Sequence, residues 1–190
     1  MQVIPHITNE IKSRIDRTRR RTKVDFLIIE IGGTVGDIEG RHFLEAVRQY
    51  AIEHPRKIAF VHLAYLPYLH TSKEIKTKPV QNSLRDLQSL GIQPQLVFCR
   101  ADYPVAPEHL EKIAMFAGLP KKAVITIPTL ETIYEVPLLL ENAGADKLLL
   151  KYFGLRSPHE PKPLWQELVK RIKGPKKHAV RIALVGKYLT

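Results

Sequence analysis

Three groups of polar residues stand where a chain of alternating strands and helices would hold a phosphorylated ligand. The first is Glu30 with Asp37 and Glu39. Glu30 ends the apolar run Phe26-Leu27-Ile28-Ile29, and the glycines Gly32, Gly33 and Gly36 follow it. A run without polar alternation is the signature of a parallel strand buried on both faces, and ligands of such sheets sit beyond the carboxyl ends of the strands. A carboxylate there is a hard oxygen ligand suited to Mg²⁺ on a nucleotide phosphate. The glycines allow close approach of the backbone to a ligand, and they equally suit a plain strand-to-helix turn.

The second group is Lys76-Thr77-Lys78-Pro79-Val80-Gln81. Two lysines flank one threonine in a loop that leads into a helix. Thr77, Gln81 and the free amides at the helix start add neutral donors, a set suited to a triphosphate, while a solvated lysine-rich loop has the same composition. The third group is single residues. Arg100 follows a strand, so it reaches the same rim; Lys112 lies on the next helix; either is a ligand contact or a surface charge. Cys99 has no flanking nucleophile elbow and is read as a buried small apolar residue. His6 and His62 lack metal-ligand spacing with another His or Cys and are assigned structural roles.

The elements that must position these residues follow from periodicity. Ile7, Ile11 and Ile15 mark a helix, with Thr8 or Asn9 as its cap. A strand over 24–30, a helix near 40–53, a strand over 58–65 and a polar loop over 68–78 come next. A helix carrying Leu84, Leu87 and Leu90 ends at Gly91. Then come a strand over 95–100, a helix over 107–117, a strand over 123–127, and helices near 130–142 and 146–153. Strands alternating with helices predict an α/β fold with a doubly wound, mostly parallel sheet. Gly154, Pro158, Pro161 and Pro163 mark a linker; Leu164, Trp165, Leu168, Val169 and Ile172 mark a further helix, and 180–185 reads as a new strand.

Bulk properties exclude several classes. In 190 residues no apolar run approaches the ~20 residues of a membrane span. The start, Met1 to His6, has no signal-peptide pattern, and the single cysteine fits a reducing, cytoplasmic setting. The net charge of +11 is terminal: residues 1–23 carry net +5, residues 151–190 net +8, and the middle net −2. The basic runs have no interleaved aromatics to stack bases, so nucleic acid is not an expected partner. No G-x-x-x-x-G-K-[ST] phosphate loop occurs in the chain.

Together these stretches resemble the CTP synthases, glutamine-dependent ligases that aminate UTP. The resemblance is carried by Gln2-Val3-Ile4-Pro5-His6-Ile7-Thr8-Asn9, by Glu30 to Glu39, and by Phe43-Leu44-Glu45-Ala46-Val47-Arg48-Gln49. It continues through Lys76 to Gln81, Gly91-Ile92-Gln93-Pro94 and Lys112-Ile113-Ala114, in collinear blocks over nearly the whole chain. The likeness implies a sheet of the phosphate-loop NTPase type, incomplete at its N-terminus. In the family ATP phosphorylates the uracil 4-oxygen, and ammonia from a glutaminase domain displaces that phosphate. By the likeness Glu30 is a Mg²⁺ ligand, and Asp37, Ile38 and Glu39 recognise the feedback inhibitor CTP. Lys76, Thr77, Lys78, Pro79, Val80, Gln81 and Lys112 bind UTP or CTP, and Arg100 and Leu130 lie on the ATP side; the Pro128-Thr129-Leu130 stretch departs from more polar versions.

The same likeness divides the chain into a partial synthetase domain over 1–153, a linker over 154–178 and the start of a glutaminase domain over 179–190. The family's phosphate loop is expected before Met1 and its glutaminase triad after Thr190. The chain alone is therefore expected to be inactive, and the longer protein to form a dimer or tetramer. A nucleotide-binding or assembly module without catalysis is the other reading.

Overall fold

The computed structural model describes residues 1–156, 164–175 and 180–187. Its centre is a parallel sheet of three strands in the order β1-β4-β5: β1 is Val61–Leu66, β4 is Leu96–Ala101 and β5 is Val124–Pro128. The strands are in register, with Tyr65 opposite Arg100 and Arg100 opposite Ile127. Side chains alternate across β4. Val97, Cys99 and Ala101 pack with Leu84, Ile113 and Ala117 of α3 (Lys78–Ser89) and α4 (Pro107–Ala117). On the other face Leu96 and Phe98 pack with Leu139, Leu140, Leu148 and Leu149 of α5 (Val136–Asn142) and α6 (Ala145–Phe153). Helices on both faces of a parallel sheet are the doubly wound arrangement that alternating elements predict.

The helices at either end join this core through side contacts. Helices α1 (Thr8–Thr22) and α2 (Arg41–Glu53) reach α3 through Val47, Leu87 and Ile92, against which Ile15, Ile31 and Val35 pack. Tyr50 donates to Asp16 at 2.7 Å and ties α2 to α1. Gly91 ends the turn after α3 at φ +77°; a Cβ there would stand 3.2 Å from the Arg48 side chain. Helix α7 (Leu164–Lys173) docks through Trp165 Nε1, which donates to the Tyr134 carbonyl at 2.9 Å, and through Lys173, which pairs with Glu131 and Glu135.

Three expectations are corrected. Residues 24–30 form no strand: they run as irregular chain, with Ile28 92% exposed and Phe26 and Ile29 about half exposed. An extended apolar run becomes a strand only where its backbone groups find a ladder, and among the described residues none pairs with it. Residues 180–187 are likewise irregular and exposed, for the same reason. Helix α1 is not capped by Thr8 or Asn9. It continues directly from a wide turn at Val3–Ile7, and the buried Thr8 hydroxyl donates to the Pro5 carbonyl at 3.2 Å. The polar loop before α3 also holds a small hairpin, β2 (Tyr68–Leu69) and β3 (Glu74–Ile75). Parts of the expected linker, 157–163 and 176–178, and of the expected glutaminase start, 179 and 188–190, lie outside the described residues.

Candidate functional site

The lysine loop sits between β3 and the start of α3. Ile75 and Val80 are buried in the core on either side of it, so the segment between them has little freedom. Pro79 fixes φ in the first turn of α3, where a missing N–H costs nothing. Lys78 and Pro79 are exposed, and no acidic residue stands in that first turn, so the helix N-terminus offers its amides and a lysine to an anion. Lys76 is half-buried; its ammonium pairs with Glu74, and this bond holds the Glu74 carboxyl below its usual range. Tyr68 and Ile75 of the hairpin pack in one cluster with Leu110 and Ile113, which places α4 beside the hairpin. Lys112, on that helix, is exposed.

Two members of the set differ from a row of free donors. Thr77 and Gln81 are both buried, and Gln81 Nε2 donates to Thr77 Oγ1 at 2.9 Å. Their polar atoms therefore shape the loop first. The Val80 side chain lies wholly in the core, so this residue can meet a ligand only through its backbone. Behind them Ser83 Oγ and His62 Nε2 are 3.0 Å apart; burial pushes the His62 pKa down, and the pair fills a gap between α3 and β1.

Arg100 stands at the carboxyl edge of the sheet within a network that its neighbours complete. Its Nη2 donates to Thr129 Oγ1 at 2.8 Å and lies 3.0 Å from Asp102 Oδ1, and its Nη1 donates to the Ala101 carbonyl at 2.7 Å. Asp102 also accepts from Thr129 at 2.6 Å and from Tyr65 at 2.7 Å. Those two hydroxyl bonds, with Arg100, hold the Asp102 carboxyl below its usual range, and Asp102 in turn raises the Tyr65 phenol. Leu130, half-buried, follows Thr129. Sequence reasoning passed over Asp102 and Tyr65; the signal available was an Arg-x-Asp pair at a strand end, where residues two apart share one face.

The lysine loop and the Arg100 rim are joined. Tyr68 of β2 stacks on Tyr103, with ring centroids 4.0 Å apart and 23° between planes. His70 meets both rings edge-on. Tyr103 follows Asp102, so the stack fastens the hairpin that carries Lys76 to the chain that carries Arg100.

The acidic group is apart from both. Asp37 Oδ2 accepts from the Thr34 amide at 3.1 Å and closes a turn in which Gly33 and Gly36 have φ of +91° and +106°. A Cβ on Gly36 would lie 3.9 Å from Asp86, so the turn sits against the third turn of α3, about 12 Å along the helix from Lys78. Ile38 is 78% exposed, and Glu30 and Glu39 are exposed. Among the described residues no three His, Cys, Asp or Glu side chains gather to hold a metal. These residues do not form a protein-only Mg²⁺ site; Glu30 offers one carboxylate, enough only where phosphate oxygens and water complete the shell. A cleft of about 630 Å³ over α4 and β5, lined by Leu110, Lys121, Leu139 and Ala143 among others, includes none of the predicted site residues.

A family model described as the CTP synthase N-terminus matches residues 1–155. The chain belongs to the CTP synthase N-terminal family. It is 50% identical to a CTP synthase of Herpetosiphon aurantiacus and 48% identical to one of Dehalococcoides mccartyi, each over the whole of this chain and 35% of the relative. A CTP synthase of Thermomicrobium roseum is 46% identical over the whole chain and 34% of its own length. The chain thus spans about a third of the curated CTP synthases it matches. The segment matched to the family contains every predicted site residue, from Glu30 to Leu130. Among the described residues no helix is long and apolar enough to cross a membrane.

Proposed function

We propose that the chain is the nucleotide-holding part of an enzyme that aminates UTP to CTP, in a cytoplasmic setting. The enzyme consumes ATP and uses ammonia released from glutamine. The observation that carries this reading is the pairing of two cationic stations on one rim: the lysine loop at the N-terminus of α3, and Arg100 at the end of β4, fastened by the Tyr68–Tyr103 stack. A reaction that brings two triphosphates together needs two such stations. Lys76, Lys78 and Lys112 neutralise the phosphates of UTP or CTP, with the amides of Lys78 and Val80 as neutral donors and Thr77 and Gln81 setting the loop. Arg100 meets ATP, and Leu130 offers its apolar side to the adenine.

Phosphoryl transfer to the uracil 4-oxygen is governed mainly by positioning and charge neutralisation, and the resulting 4-phosphorylated UTP is the species that ammonia attacks. Mg²⁺ arriving with a triphosphate would be met by Glu30 and would spread the phosphate charge. Asp37, Ile38 and Glu39 recognise CTP as feedback inhibitor, and the longer protein assembles as a homodimer or homotetramer.

Without a phosphate loop of its own the chain is inactive. Incubation of the pure chain with UTP, ATP, Mg²⁺ and ammonia is expected to yield no CTP, and measurable turnover overturns that point. Nucleotide holding is tested by thermal unfolding. Pyrimidine triphosphate at a hundredfold excess over its Kd stabilises the chain by about 2.7 kcal/mol. No shift in a folded sample would refute the assignment of the lysine loop.

A further inference from the structure

Tyr65 lies in β1 and Arg100 in β4, and Asp102 and Thr129 stand just past the carboxyl ends of β4 and β5, where hydrogen bonds join all four. Tyr65 and Arg100 are paired in register, Arg100 is opposite Ile127, and Asp102 and Thr129 each fall two residues beyond. Both oxygens of Asp102 are engaged: Oδ1 by Thr129 and Arg100, Oδ2 by Tyr65. Arg100 is gripped from one side only. Nη1 and Nη2 have protein partners, and among the described residues Nε has none. A guanidinium held in this way keeps its plane fixed, and the N–H donors that the protein does not take remain for the oxygens of an anion.

We propose that Asp102, braced by Tyr65 and Thr129, is a positioning residue that fixes Arg100 to receive phosphate oxygens of a purine nucleoside triphosphate, and is not itself a metal ligand. The proposal rests on the reading of Arg100 as an ATP-side residue. A cation at Asp102 would have to displace two hydroxyl donors and the guanidinium together. Without Asp102, Arg100 loses a bond between opposite charges and becomes a long side chain with several accessible rotamers, so binding must then freeze it.

The test is isothermal titration of the chain with ATP, and separately with UTP, for R100A, D102A, D102N, D102E, T129V and Y65F. R100A and D102A are each expected to weaken ATP about tenfold, the effect of one lost charge-assisted bond, with UTP affinity unchanged. D102E restores part of the affinity; D102N, T129V and Y65F show smaller losses. The deficit of D102A is the same in EDTA as in Mg²⁺. Ultraviolet titration of D102A against D102A/Y65F isolates the Tyr65 phenol, which returns toward its ordinary range and reports the broken contact in a folded chain. If R100A is weakened and D102A is not, the proposal falls and the reading of Arg100 stands. If R100A binds ATP normally, or the unsubstituted chain does not bind ATP, the reading falls and the proposal with it. Equal losses for ATP and UTP in D102A, or a deficit that vanishes in EDTA, also overturn the proposal.

Discussion

The lysine loop before α3 and the acidic turn over 30–39 look alike on paper: each follows an apolar run and each leads into a helix. They differ in what holds them. The lysine loop hangs between Ile75 and Val80, both buried, and an internal bond joins Thr77 to Gln81. The acidic turn follows a segment with no ladder among the described residues; its anchors are Ile31 and Val35 on the α2–α3 cluster and a turn that Thr34 and Asp37 close by one backbone and one side-chain bond. A ligand group is only as well placed as the element behind it. The lysine set is therefore preorganised, and the acidic set is ordered from its helix side alone.

The strongest way to break this comparison is to empty the core behind each region. Leu84→Ala removes a fully buried side chain beneath the lysine loop and is expected to cost about 3 kcal/mol in urea unfolding. Ile31→Ala, at a partly buried position, is expected to cost about 1 kcal/mol. Equal losses would mean that the two regions are held alike.

A smaller effect sharpens the comparison within the loop. Thr77→Val leaves the buried Gln81 amide without its hydroxyl partner and is expected to cost about 1.5 kcal/mol. Pyrimidine triphosphate affinity should fall with it. A variant as stable as the parent, with unchanged affinity, would show that the bond does not set the loop.

The smallest effect concerns pH. Arg48, with Gln49, depresses Glu45 on α2 to about 2. The carboxylate form is favoured in the folded state, so this contribution is complete above the unfolded value of 4.5 and is lost as pH falls toward 2. The pair is part-buried but sits on a helix surface where solvent still screens it, so the loss stays below about 1 kcal/mol. Glu45→Gln should flatten the acid limb of stability between pH 4.5 and 2 while the midpoint at neutral pH barely moves. An unchanged acid limb would remove Glu45 from the account.

The contrast also explains what the sequence revealed. Helices α2, α3, α4 and α7 stand close to where periodicity put them, since each has an apolar stripe that its neighbours bury. Strands β4 and β5 were legible because the helices on both faces make their runs uniformly apolar. The run over 24–30 has a similar composition with no strand partner among the described residues, and composition does not say whether a ladder is at hand. In the candidate site the lysines and Arg100 were legible as charges at element ends. The Tyr65–Asp102–Thr129 brace was not, because it joins β1 to the chain just past the ends of β4 and β5, which only the register of the folded sheet brings together. The closure of Thr77 on Gln81 was hidden likewise: a threonine four residues before a glutamine reads equally as two free donors.

Cys99 lies wholly buried in the central strand, and burial pushes its thiol up to about 12. It is the chain's sole cysteine, so alkylation has one address. Modification needs a thiolate in contact with solvent, and therefore the lifting of α3 and α4 from β4 or the parting of the strands. The labelling half-life of the native chain is thus a stopwatch for opening of this core layer. A ligand seated on the rim should lengthen it, while fraying of α1 or α7 should leave it unchanged.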